Sequence, residues 1–184
     1  MTRDDLAKFR ALEIDFEALG LLQDETPAGC FCTPVGAEYV GRVGCDGVHF
    51  VLLPGDERVY CVEPSMGETG TFVLPVGSDF REFLSFVLYC RDANPLSQIF
   101  WMKEEQFRRL LAEDSAASWP GSEAFFRRRD AALAAIEEAF CLTPAAPFAP
   151  VRQMQAAFDP GSVPYSDEYY DVLGLEPTER RDQL

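Results

Sequence analysis

The stretch GVHFVLLPGDERVYCVEPSMGETGTFVLPV, residues 47–76, decides the fold. It holds three short runs of aliphatic, aromatic and β-branched residues: GVHFVLL (47–53), RVYCVE (58–63) and GTFVLPV (70–76). PGDE (54–57) and PSMGE (64–68) separate them, and both carry turn residues. Strands joined by connectors this short must be antiparallel hairpins, because a parallel pair needs a crossover of about a dozen residues. AEYVGRV (37–43) adds a strand in front. Pro75 has no amide to give to a ladder, so it ends the last strand or marks a sheet edge.

Outward from this meander the periodicity turns helical. Thr2 and Asp5 are placed as a capping box, and Leu6, Phe9, Leu12 and Phe16 follow at helical spacing. They predict a first helix over 3–19 with Gly20 as its stop. QDETPAGCFCTPVG (23–36) reads as loop. After the meander, DFREFLSFVLYC (79–90) carries one broad apolar stripe with Ser78 as its cap. PLSQIFWMKEEQFRRLLAE (95–113) follows, capped by Asn94, as one helix or as two with a bend near Trp101. Another helix opens at Ser122, with Phe126, Leu133, Ile136 and Phe140 on one side. TPAAPFAP (143–150) predicts an extended surface connector, and VRQMQAAF (151–158) a short helix. The order is α+β: a mostly antiparallel β-meander sheet packed with N-terminal and C-terminal helices. Residues 1–175 are expected to form one domain and 176–184 a flexible tail.

Sixteen basic residues against 31 acidic ones give a net charge of −15. Such a surface repels nucleic acid and anionic membranes, and it attracts basic proteins. The N-terminus lacks the pattern of a signal peptide, and no apolar run approaches the ~20 residues that span a bilayer. The chain is therefore expected to be cytoplasmic, with its six cysteines as thiols. Cys61, Cys90 and Cys141 fall at apolar positions that suit packing.

Motifs for catalysis are missing. There is no G-x-S-x-G elbow, no phosphate-binding glycine loop and only one histidine, His49. On a strand with two apolar faces, His49 is expected to be a hydrogen-bonded core residue. Cys30, Cys32, Cys45 and His49 form a C-x-C-x12-C-x3-H series that could close a zinc site, so a zinc-binding protein is the minor alternative. No cofactor is otherwise expected. Arg127, Arg128 and Arg129 are the only basic run, and helical geometry fans them apart into salt bridges. PYSDEYYDVLG (164–174) sets Tyr165, Tyr169 and Tyr170 among Asp167, Glu168 and Asp171. Rings that anchor and acids that steer suit a protein interface, while the same rings could dock a C-terminal helix onto the body.

GCDGVHFVLLPGDERVYCVEPS (44–65), VLPVGSDFREFLSFVLYCRDANPLSQIFWMKEEQFRRLL (73–111) and PYSDEYYDVLGL (164–175) resemble a divergent bacterial branch of the SMI1/KNR4 family, the SUKH superfamily. A G-x-D-G-x-H strand leads into a V-x-x-V-x-P strand, then a Phe-rich helix and a Trp-containing one. The resemblance covers residues 40 to 175 and implies a sheet packed with helices. It implies a non-enzymatic immunity protein that binds and neutralises a toxin domain, often a nuclease. It also leaves open a regulatory or scaffolding module that binds a host protein.

Overall fold

The computed structural model describes residues 2–23, 29–44, 46–69 and 71–175. The meander is present: β1 (Glu38–Arg42), β2 (His49–Leu52), β3 (Val59–Val62) and β4 (Val73–Gly77) form one sheet in the order β1-β2-β3-β4, each strand antiparallel to the last. β2 and β3 are buried at every position, because both are central strands with a layer on each face. Pro75 sits on the edge strand β4, opposite Tyr60, beside the point where the β3–β4 register shifts. At the other edge Leu22 exchanges two backbone bonds with Arg42, of 2.9 and 3.1 Å.

Side chains of β2 divide by parity between two cores. Val48, Phe50 and Leu52 face the main helical layer. That layer comprises α1 (Thr2–Arg10), α2 (Phe80–Cys90), α3 (Asn94–Gln98), α4 (Glu104–Ala116), α5 (Ser122–Phe140) and α6 (Phe148–Ala157). Its centre is aromatic: the Phe50 and Phe83 rings lie 5.2 Å apart, and Phe9 and Phe80 lie 5.4 Å apart. Val51, Leu53, Tyr60 and Val62 face a second, smaller core, which the loop around Cys32 and α7 (Asp167–Leu173) cover.

Four local readings shift. The first helix stops at Arg10, and a 3₁₀ turn follows at Glu17–Leu19, with Gly20 at φ 62°. Asp15 accepts the Ala18 amide at 3.1 Å, which starts a new turn in competition with the helix. Leu12 and Phe16 still pack on the core, so their spacing did not require continuous helix. Thr2 does not cap. Its amide and hydroxyl donate to Glu57, at Oε2 (2.8 Å) and the carbonyl (3.1 Å), and tie α1 to the β2–β3 turn. The cap of α2 is Asp79 rather than Ser78: Asp79 accepts the Glu82 amide at 2.8 Å, while Glu82 accepts the Ser78 amide at 2.7 Å. The proline-rich connector ends at Pro147, and Pro150 lies in the first turn of α6, where a missing N–H forfeits no helical bond. The 95–113 stretch is two helices, with Trp101 exposed between them. The expected tail, 176–184, lies outside the described residues.

Gly77 closes β4 where α2 crosses it. A Cβ there would stand 2.9 Å from Phe83 Cβ and 3.1 Å from Phe83 Cα. Gly77→Ala is expected to lower stability by about 1–3 kcal/mol through overpacking, checked by urea denaturation with an unchanged m-value.

Candidate functional site

His49 opens β2 and points into the smaller core, only 4% exposed. Its Nδ1 lies 2.7 Å from the Gly47 carbonyl. A carbonyl only accepts, so Nδ1 carries the hydrogen and Nε2 of the neutral ring is the acceptor. Nε2 lies 3.1 Å from Thr33 Oγ1, and the Tyr39 ring stacks on the imidazole at 6.0 Å. Thr33 in turn belongs to the cysteine loop. Its amide donates to the Cys30 carbonyl at 2.8 Å, and its hydroxyl accepts from the Cys30 amide at 2.9 Å. This turn, closed from both sides, brings Cys30 Sγ within 3.3 Å of Cys32 Sγ and 3.3 Å of Thr33 Oγ1. His49 is therefore the hydrogen-bonded core residue the strand pattern predicts. Its partner, and through it Cys30, is what the pattern does not reveal.

The Thr33 hydroxyl satisfies its bonding in two ways. In one, Cys30 S–H donates to Oγ1 and the Thr33 hydroxyl donates to Nε2. In the other, the hydroxyl turns to a Cys30 thiolate and a protonated Nε2 donates to Oγ1. In both, Oγ1 accepts two bonds and donates one, so a proton can pass between Cys30 and His49 without leaving a polar group unpaired. The electrostatics favour the thiolate at Cys30. A hydrogen bond from Cys32 is the largest cause; burial opposes it, while Thr33 and His49 assist, and the Cys30 thiol is pulled down to about 5. Cys32 is pushed far above the ordinary thiol range, first by its bond to Cys30 and then by burial. The pair thus holds one proton, and Cys30 is the half-buried, reachable member.

The tyrosine tract covers this cluster. Tyr169 and Tyr170 are buried, and Tyr165 stacks on Tyr169 with ring centroids 3.7 Å apart. Phe31, between the two cysteines, packs 5.3 Å from Phe72 and 6.3 Å from Tyr169. The rings thus dock α7 onto the sheet, and Asp167, Glu168 and Asp171 form the exposed part of the tract. Cys30, Cys32 and His49 thus lie with the tyrosine tract on one face of the sheet.

Cys45 lies outside the described residues, and no group of three metal-binding side chains converges among the described ones. Cys61 and Cys90 are buried packing residues, and burial raises both thiols. Cys141 is exposed instead, at the left-handed end of α5. The arginine run divides: Arg128 pairs with Asp15, while Arg129 is buried, bonds Asp114 at 2.9 Å and lies 4.8 Å from the Phe126 ring centre. An open cleft of about 240 Å³ runs beside the β2 hairpin, with Glu63, Asn94 and Gln98 on its walls and Trp101 at its rim. Another of about 330 Å³ has Arg58 in its wall, held by Asp56, which also accepts the Tyr60 hydroxyl. No helix among the described residues is long and apolar enough to cross a membrane. No family model, curated protein or solved structure matches the chain.

Proposed function

We propose that the protein is a non-enzymatic, cytoplasmic binding module that covers a basic protein surface, as an immunity protein does when it neutralises a nuclease-type toxin. The observation that carries this reading is the disposition of charge. Arg3, Arg10, Arg58, Arg81, Arg91, Arg108, Arg109, Arg128 and Arg129 each form an ion pair with a carboxylate of the same chain. Most of these pairs are at least partly exposed and add little stability. Their effect is to tie up positive charge locally and leave the acid surplus of a chain at −15 on the surface. Asp167, Glu168 and Asp171 are exposed on the helix that closes the smaller core and add to the acidic surface. A basic surface shaped for nucleic acid is the natural complement, and attraction of this kind speeds encounter. The resemblance to SUKH proteins supports the same role.

The test is a binding screen against nuclease-type toxin domains encoded in the same genome, followed by association kinetics. One basic domain should bind, and its association rate should fall about tenfold or more between about 50 mM and about 500 mM salt, with little change in dissociation. Absence of a binder at either salt would overturn the toxin reading. A salt-independent rate would overturn the role of the acidic surface.

A further inference from the structure

We propose that Cys30 and Cys32 are a thiol–disulfide exchange site, in which Cys30 attacks a low-molecular-weight disulfide and Cys32 resolves the adduct. This is a reaction of the chain's own thiols and does not depend on the partner proposed above. The geometry separates these two cysteines from the structural ones. Cys61 and Cys90 sit in the main apolar core, where burial suppresses ionisation. Cys30 instead meets a hydroxyl that leads to an imidazole, and a second thiol 3.3 Å away.

The step balances within these groups. With its proton passed through Thr33 to His49, Cys30 thiolate attacks one sulfur of R–S–S–R. The Cys30–S–S–R bond forms, and RS⁻ leaves and takes up that proton. Cys32 then attacks Cys30 Sγ, the second RS⁻ leaves, and it takes up the Cys32 proton. Two electrons pass from the cysteine pair to the reagent, which departs as two RSH. Closing the bond needs the sulfurs to approach from 3.3 Å to about 2.05 Å, a movement of about 1.3 Å. The turn is hydrogen-bonded from both sides, and Phe31 packs against Phe72 and Tyr169. The titratable groups around the pair are His49, Glu63, Tyr165 and Tyr169, and Tyr39 lies against His49.

The experiment incubates the full chain with oxidised glutathione and locates products by peptide mapping without reductant, which separates any adduct at exposed Cys141. Wild type should form an internal Cys30–Cys32 bond with no lasting glutathione at either residue. Cys32→Ser should accumulate one glutathione on Cys30, and Cys30→Ser should leave Cys32 unmodified. If Cys32→Ser does not fold, the wild-type map decides alone. A persistent adduct on Cys30 of wild type, or no reaction at either residue while Cys141 is modified, would overturn the proposal. His49 is a positioning residue, tested by the pH profile of Cys30 alkylation with iodoacetamide. The wild-type rate should hold level from about pH 8 to about pH 6, whereas that of His49→Gln should begin to fall at a higher pH than that of wild type. Parallel profiles would remove His49 from the site.

Discussion

Phe83→Ala is expected to lower stability by about 3–5 kcal/mol, the largest loss at any single position considered. Phe83 is fully buried on α2, where its ring meets Phe50 of β2 at 5.2 Å and Phe80 at 6.0 Å. Truncation removes the aromatic contact between helix layer and sheet and leaves a cavity. β2, whose Phe50 meets Phe83, is held by a ladder on each side and cannot collapse into it. For a chain of this length each kcal/mol moves the melting temperature by about 2–4 °C, so a fall of about 6–20 °C is expected. Circular dichroism melts and urea titrations of the two proteins measure it. A loss below about 1 kcal/mol would mean that α2 does not pack on the sheet as described.

Tyr169→Ala is expected to destabilise by about 3 kcal/mol and to act locally first. The ring touches Tyr165, Tyr170, Phe31 and Phe72, so it is the pin that holds α7 over the cysteine loop. Amide exchange over residues 167–173 should accelerate well before the sheet opens. Glu168→Gln should leave stability within about 0.5 kcal/mol, because its side chain is exposed. Equal effects from the two variants would contradict the division of this helix into buried rings and exposed acids.

The sheet was legible because its signal is dense. Short apolar runs with turn residues between them admit few pairings, and Pro75 located an edge. Helix ends were less legible, because side-chain caps compete over a few residues: Asp15 and Asp79 each accept an amide that the periodic pattern assigned elsewhere. Arg129 reads as a salt-bridging member of the basic run and does pair with Asp114; its burial against Phe125 and Phe126 carries no signal in the sequence, because a guanidinium can lie flat on aromatic faces while keeping its carboxylate. The site was half legible. The rarity of histidine and the C-x-C pair drew attention to residues that the fold brings together, but Thr33, which links them, carries no signal of its own. It acquires its role only when the loop folds against β2. The tyrosine tract was unusual in composition, and either reading of its rings was open until their burial was known.

Growth is the direct readout of whether this chain neutralises a basic toxin domain. Cells would express, one at a time, nuclease-type toxin domains encoded in the same genome, with and without this chain. One basic domain should arrest growth alone, and co-expression should restore it. Protection should weaken when Asp167, Glu168 and Asp171 are changed together to Asn, Gln and Asn. Arrest by every toxic domain regardless of co-expression, with the chain folded and abundant, would contradict neutralisation.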